Sequence, residues 1–279
     1  MRQRNANNRT RRPSGTSSGE YANQSASANL VYGVNPVEEA LRAGKRQIES
    51  ITILETARPD RLKHLLELAR TMRIPVHRVP RLDLDRGLGD VRHQGVVARV
   101  AAAKYADADE LLDSLAASVG TTNPPLALGL DGIEDPRNFG SILRTAECAG
   151  VHGVFIPERR ASGLTEVVAK VAAGALEYVP VARVTNLVRL IDQLKERNIW
   201  VVGAAGGGRQ TYTEWDWKLP VAVFLGNEGQ GLHRLVSERC DALLRIPVLG
   251  QLESLNVAVA AGVLLYEARR QRATSAEKR

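Results

Sequence analysis

Three stretches of this sequence bring glycine together with short polar side chains. That combination lets backbone approach a ligand closely while a few side chains orient it. The first runs Asp131-Gly132-Ile133-Glu134-Asp135-Pro136-Arg137-Asn138-Phe139-Gly140-Ser141-Ile142-Leu143-Arg144, with Asn138 near a helix start and Arg144 under two turns further along it. The second, Leu225-Gly226-Asn227-Glu228-Gly229-Gln230-Gly231, sets one carboxylate among three glycines. The third begins at Ile246-Pro247 and ends in Ser254-Leu255-Asn256, just before an alanine-rich segment. A guanidinium, two amides, a carboxylate and a hydroxyl could position and polarise a substrate. Each stretch also has an ordinary reading, since Asn138, Ser254 and Asn256 suit helix caps and the glycines suit tight turns. A turn accounts less directly for Glu228, and the repetition of the pattern in three places favours a site.

Other signals are set aside. The chain has no GxxxxGK[ST], no GxGxxG after a strand and no HExxH, which excludes the simplest forms of nucleotide triphosphate, dinucleotide and zinc-protease chemistry. Gly206-Gly207-Gly208 precedes no convincing helix. His93 and His152 are isolated and read as structural or exposed. Cys148 and Cys240 lie in no CxxC and near no histidine at metal-ligand spacing, so neither a disulfide framework nor a metal site is expected.

The elements that must carry these loops read as two units. Residues 1–29 are rich in Asn, Ser, Arg and Gly and form a disordered basic arm. Residues 30–105 form a small α/β domain: a helix capped by Asn35 with Pro36 at its first position, strands at 51–54, 75–79 and 95–100, and a helix at 60–72. Residues 106–125 are an acidic linker with a short helical piece around 109–117 and a break at Pro124-Pro125. From 126 to 272 strands and helices alternate, with strands at 126–130, 153–156, 200–203, 221–225 and 242–246 and helices at 138–149, 166–173, 186–196, after Gly231 and at 256–271. Such alternation predicts a mostly parallel sheet with helices on both faces. In such sheets ligands sit beyond the carboxyl ends of the strands, where the loops after Leu130, Leu225 and Ile246 fall. Residues 273–279 are a basic tail.

The formal net charge of +7 is unevenly spread: +4 over residues 1–29, +5 over 30–105, −6 over 106–267 and +4 over the last twelve. A basic arm and basic first domain joined to an acidic second half fit a polyanion-binding module attached to a unit with other work. No apolar run reaches 18 residues and the first 29 lack a signal-peptide core, so a cytoplasmic chain without a membrane span is expected.

In their order and spacing the three stretches resemble the three motifs of the SpoU (TrmH) family of RNA ribose 2′-O-methyltransferases. The first motif falls on Asn138, Gly140 and Arg144-Thr145-Ala146, the second on Leu225-Gly226-Asn227-Glu228 with Gly231, and the third on Ile246-Pro247 with Ser254-Leu255-Asn256. In the first domain Val31-Tyr32-Gly33 and His93-Gln94-Gly95 look like the RlmB branch, which modifies a guanosine of large-subunit (23S) ribosomal RNA. The resemblance covers about residues 30–272. One departure stands at Ala172, where relatives often carry a serine that would make a local polar contact. The resemblance implies a SPOUT fold with a trefoil-knotted methyltransferase domain behind a small RNA-binding domain. It also implies S-adenosylmethionine as cofactor, held at Leu225, Gly226, Ile246 and Leu255, and a homodimer with its sites near the interface. Carried over, Arg144 contacts the reacting ribose and adjacent phosphate and stabilises the forming alkoxide, Asn138 orients Arg144 or the target nucleotide, Glu228 fixes a neighbouring donor or the arginine, and Ser254 and Asn256 hold the ribose or the cofactor's methionyl end while capping the last helix. The partner expected is ribosomal RNA or an assembling ribosomal particle, with neither DNA nor a membrane involved. Two alternatives stay open: the same reaction on transfer RNA or another ribosomal site, and a non-catalytic RNA-binding protein of ribosome assembly.

Overall fold

The computed structural model describes residues 30–44, 46–86, 93–101 and 103–276, with side chains of the last helix described to 273. The expected basic arm lies outside the described residues, as do 277–279 of the tail.

The first domain holds β1 (Leu30–Tyr32), α1 (Val34–Ala43), β2 (Ile48–Leu54), α2 (Pro59–Thr71), β3 (Val76–Val79), α3 (Arg81–Asp85) and β4 (Val96–Val100). Its sheet runs β1-β4-β2-β3, with only the β2/β3 pairing parallel among the described residues. Val37, Ala40 and Leu41 of α1 and Leu62, Leu65 and Ala69 of α2 recur at helical spacing and pack on Ile51, Ile53, Val96 and Ala98. Helix α1 starts earlier than expected. Gly33 takes the cap position at φ 92, a conformation open to glycine, so Asn35 sits inside the first turn and its side chain caps nothing. Pro36 is tolerated there because first-turn amides lack helical acceptors anyway.

The second domain holds α4 (Ala108–Ala117), β5 (Leu126–Asp131), α5 (Pro136–Cys148), β6 (Gly153–Pro157), α6 (Glu166–Ala172), β7 (Val181–Val184), α7 (Leu187–Glu196), β8 (Trp200–Ala204), β9 (Gln210–Thr211), β10 (Val221–Gly226), α8 (Arg234–Arg239), β11 (Ala242–Arg245) and α9 (Val257–Ala276). Among the described residues its sheet has seven strands in the order β7-β6-β5-β10-β8-β11-β9, and every pairing is parallel. Strand residues alternate between two cores. Leu126, Leu128 and Leu130 face α5, α6 and α9, while Ala127, Ala222 and Phe224 face α4 and α7. With both faces covered the strands read as apolar runs, as a buried parallel sheet requires.

The segment expected as a linker is instead part of this domain. Ala106 bridges Ala182, and Leu111, Leu112 and Leu115 of α4 enter the core beneath Phe155 and Leu187. The acidic composition of 106–113 marks the solvent side of a helix, where Asp107 caps the amides of Asp109 and Glu110. β7 was absent from the expected elements because four residues between Pro180 and Asn186 offer too little periodicity. Ala172 is buried in the apolar cluster against α5, so the methyl fills core space where a hydroxyl would need a partner.

Gly140 of the first motif has a packing role. A Cβ there would stand 2.7 Å from the Cβ of Val171 and 2.9 Å from the carbonyl of Val168, so only glycine lets α5 and α6 touch. Gly140→Ala is expected to cost on the order of 1–3 kcal/mol by overpacking, read as a lower melting temperature. An unchanged melting temperature would show that α6 gives way freely.

The two domains are fastened together. The Tyr32 hydroxyl donates to Glu166, the Tyr178 hydroxyl donates to Glu39 Oε2 at 2.6 Å, and Arg46 pairs with the buried Glu177. Burial first, then the bond to Glu166, holds the Tyr32 phenol well above the ordinary tyrosine range. Among the described residues no helix is long and apolar enough to cross a membrane, and no cluster of metal-ligating side chains occurs.

Candidate active site

β5 and β10 lie side by side in register, Leu130 opposite Leu225 and Asp131 opposite Gly226, so the first two loops leave the sheet together. The chain then runs from β5 through α5 to β6 on one side, and from β10 through α8 to β11 on the other. Adjacent strands whose connections diverge leave a crevice at their carboxyl ends, the usual ligand position in open parallel sheets.

The loop after β10 is held in shape by its own residues. A Cβ on Gly226 would lie 2.0 Å from the carbonyl carbon of Gly231, so this position admits no side chain. Asn227 Nδ2 donates to the Gly132 carbonyl at 3.0 Å, while Asn227 Oδ1 accepts from Gly229 N at 2.8 Å. Behind it the buried Asp131 accepts from the backbone N–H of His233 at 2.8 Å and meets its ring Nδ1 at the same distance. These contacts turn Glu228 towards the other two loops.

Glu228 is where the three loops meet. Its Oε1 accepts from Asn138 Nδ2 at 3.0 Å, from Val257 N at 3.2 Å and from Asn256 Nδ2, and Asn256 Nδ2 also donates to Asn138 Oδ1 at 3.0 Å. Asn256 caps α9 with its other amide atom, Oδ1, which accepts from Ala258 N at 3.0 Å and Val259 N at 3.3 Å. The carboxylate therefore sits at the positive end of a long helix. Asn138 is free for this contact because Asp135, not Asn138, caps α5 through Arg137 N at 2.8 Å. Ser254 takes no part in capping α9, which corrects the expectation that it shares that role with Asn256.

Leu225, Gly226, Ile246, Ser254 and Leu255 line one cavity of about 330 Å³ together with Glu228. Its walls are mainly aliphatic, interrupted by the backbone of the glycine loop, the carboxylates of Glu228 and Glu253 and the Ser254 hydroxyl. That donor set fits a flat heteroaromatic group with a polar tail. The glycine run that the sequence offered as a decoy returns here, since Gly206 lines the same cavity. It follows β8, a parallel neighbour of β10, so its loop emerges at the same end of the sheet; its place after a predicted strand was the signal available.

Arg144 is elsewhere. Six positions beyond Asn138 on α5, it is rotated roughly 120° around the helix and is exposed in a cleft against the first domain. The two histidines set aside are structural. His93 Nδ1 accepts from Gly95 N at 3.0 Å and its Nε2 meets Asp85 at 2.8 Å. His152 Nδ1 accepts from Leu126 N at 3.1 Å, and burial pulls its pKa below the ordinary value.

The chain has known relatives. Residues 125–266 match the SpoU rRNA methylase family, and residues 30–106 match a family described as RNA 2′-O ribose methyltransferase substrate binding. A Bacillus subtilis (strain 168) protein, YacO, assigned by name to the TrmH family of tRNA/rRNA methyltransferases, is 44% identical over 244 residues, spanning 88% of this chain and 96% of its own. A Staphylococcus haemolyticus protein of the same description is 42% identical over 87% of this chain and 96% of its own. Among solved structures, the SpoU methyltransferase AviRb from Streptomyces viridochromogenes, in complex with AdoMet, superposes with a TM-score of 0.70 at 28% identity, covering 88% of this chain and 90% of that one. An AdoMet-bound rRNA methyltransferase from Sinorhizobium meliloti shares the fold, with a TM-score of 0.72 at 24% identity over 92% of this chain and 97% of its own. The chain belongs to the SpoU rRNA methylase family.

Proposed function

We propose that this protein methylates a ribose 2′-hydroxyl of RNA using S-adenosylmethionine, and that its target is a guanosine of large-subunit ribosomal RNA, as in the RlmB branch. The observation that carries the reading is the convergence of Asn138, Glu228 and Asn256, one from each loop, beside an aliphatic cavity at the diverging strands. Leu225, Gly226, Ile246 and Leu255 hold the cofactor, whose sulfonium supplies an activated methyl group when bound. The reacting hydroxyl must come within about 3 Å of that carbon, in line with the breaking bond, so positioning does much of the work. Arg144 stabilises the alkoxide as the hydroxyl proton passes to solvent water, since a guanidinium always charged is a better electrostatic partner than a base. Asn138 and Asn256 present amide groups that Glu228 fixes in orientation, and the Ser254 hydroxyl at the cavity wall meets the ribose or the methionyl end of the cofactor.

Two further parts of the reading concern assembly. The chain from β10 through α8 and β11 to α9 follows the knotted SPOUT path, consistent with β10 lying between β5 and β8. The protein acts as a homodimer. Supporting this, the loop before α9 and that helix leave large apolar side chains to solvent, Leu249 98% exposed, Leu252 78%, Tyr266 55% and Val259 53%. Val259→Asp is then expected to shift the sedimenting species from two copies to one; a dimer that persists would place the interface elsewhere. Since Arg144 and the cavity lie apart in one copy, each cavity receives the Arg144 of the partner copy. An RNA substrate of this kind puts the enzyme in the cytoplasm.

The test is transfer of labelled methyl to unmodified large-subunit ribosomal RNA and to transfer RNA, with the modified nucleotide mapped by mass spectrometry. Label as 2′-O-methylguanosine in the ribosomal RNA is expected. Label confined to transfer RNA would keep the chemistry and overturn the target. Cofactor binding without label in either would favour an assembly factor.

A further inference from the structure

A second cavity, of about 480 Å³, opens between the two domains and takes its lining from both. Four of its side chains are polar and make no hydrogen bond or ion pair among the described residues: Asn35 and Gln94 from the first domain, Arg144 and Lys170 from the second. All four are exposed to the cleft's solvent. Two carboxamides that can match a base edge thus share the cleft with two cations that can match phosphates, beside the carboxylates of Glu39, which is bonded to Tyr178, and Glu147.

The cleft is held in this form before any ligand arrives. Gln94 adopts φ 52, uncommon for a side chain of its kind, in a turn completed by Gly95 at φ 81. His93 holds that turn from below through its bonds to Gly95 N and Asp85. The Gln94 amide lies over Gly33, at the start of α1, with its Oε1 3.5 Å from where a Cβ on Gly33 would stand. On the facing wall Tyr178 presents an exposed ring whose hydroxyl is tied to Glu39 across the domain boundary, leaving a fixed aromatic surface. Aromatic face, amides and cations together are the means by which proteins hold an unstacked nucleotide of single-stranded RNA.

We infer that this cleft binds a nucleotide next to the one methylated, with its base on Tyr178 and read by Asn35 and Gln94. Arg144 takes the phosphate that joins it to the target, and Lys170 takes the next. The inference rests on the RNA methyltransferase reading above and adds to it a specificity-determining surface that the first domain supplies in the cleft that Arg144 also lines.

The test uses short RNA substrates carrying the mapped target, with each neighbouring base changed in turn. The wild-type enzyme should discriminate by about tenfold or more at one neighbouring position, the effect of one well-matched amide–base pair. Asn35→Ala with Gln94→Ala should flatten that preference to within about twofold, with S-adenosylmethionine affinity and melting temperature unchanged. Gln94→Glu, which exchanges a donor for an acceptor, should change the preferred base rather than abolish transfer. Lys170→Ala should leave the preference intact and reduce the slope of log Kd against log salt by about 0.7, one single-strand phosphate contact. The exposed Cys148 lines the same cleft, so saturating RNA should slow its alkylation. Retained discrimination in the double variant, or alkylation of Cys148 at an unchanged rate with RNA bound, would overturn the inference while leaving the methyltransferase reading intact. Protection of Cys148 without methyl transfer to any RNA would overturn the methyltransferase reading, and with it the place of this nucleotide beside a methylated one, leaving the cleft an RNA site only.

Discussion

Arg144→Ala is expected to lower kcat for methyl transfer by at least about 100-fold while S-adenosylmethionine affinity, dimerisation and melting temperature stay within error of wild type. The side chain is exposed on α5, makes no hydrogen bond or ion pair among the described residues and contributes to neither core, so its loss removes no packing. On the function proposed above, what disappears is the cation that meets the forming alkoxide once substrate is bound, and deletion of a single group that stabilises developing charge typically costs 10²–10³ in rate. Arg144→Lys should recover little, because an ammonium lacks the planar fork that engages phosphate and ribose together. Single-turnover assays separate this from an RNA-binding defect. A variant with near-normal single-turnover rate would remove Arg144 from the chemistry and leave it a phosphate contact only.

Glu228→Ala should produce a loss as large by a different route. One carboxylate oxygen gathers three donors from Asn138, Asn256 and Val257, so truncation leaves two amides without their shared acceptor and uncouples the three loops. Both cofactor affinity and turnover are expected to fall, by about tenfold or more in each, measured by calorimetry and methyl transfer. Loss of turnover with full cofactor affinity would show that Glu228 acts on the RNA side alone. The two variants also test the proposed division of labour between two copies. If each cavity uses the partner's Arg144, an equal mixture of Arg144→Ala and Glu228→Ala chains re-forms one intact site in each mixed dimer. The mixture should then recover about a quarter of wild-type turnover, given random pairing of symmetric subunits. Recovery no greater than the sum of the separate variants would place Arg144 in the same chain's site.

Much of this molecule was legible in one dimension because parallel α/β structure is written in local periodicity. Apolar runs bounded by glycine and proline located β5, β8, β10 and β11, and the helix expected at 186–196 begins within one residue of α7. The motif residues were legible too, since glycines and short polar groups that serve a ligand break the ordinary pattern of core and surface. Their roles were less so. Gly140 and Gly226 have the same local appearance, yet one spaces two helices and the other lets a loop fold upon itself beside a cavity. Segment 106–125 looked like a spacer because its acidic face is what a local reading sees, while its leucines find their partners some 40 to 75 residues away.

The sequence by itself determined the alternation of elements, the three glycine-bearing loops and the family to which they belong, because each depends on side chains near one another along the chain. Only the tertiary structure decided that Asn138, Glu228 and Asn256 share one oxygen, that Gly206 joins their cavity, and that Arg144 turns instead towards Asn35 and Gln94. Those relations depend on strand order, on the rotation of α5 and on the docking of two domains. They are set by burial of apolar faces between distant segments, which no local spacing encodes.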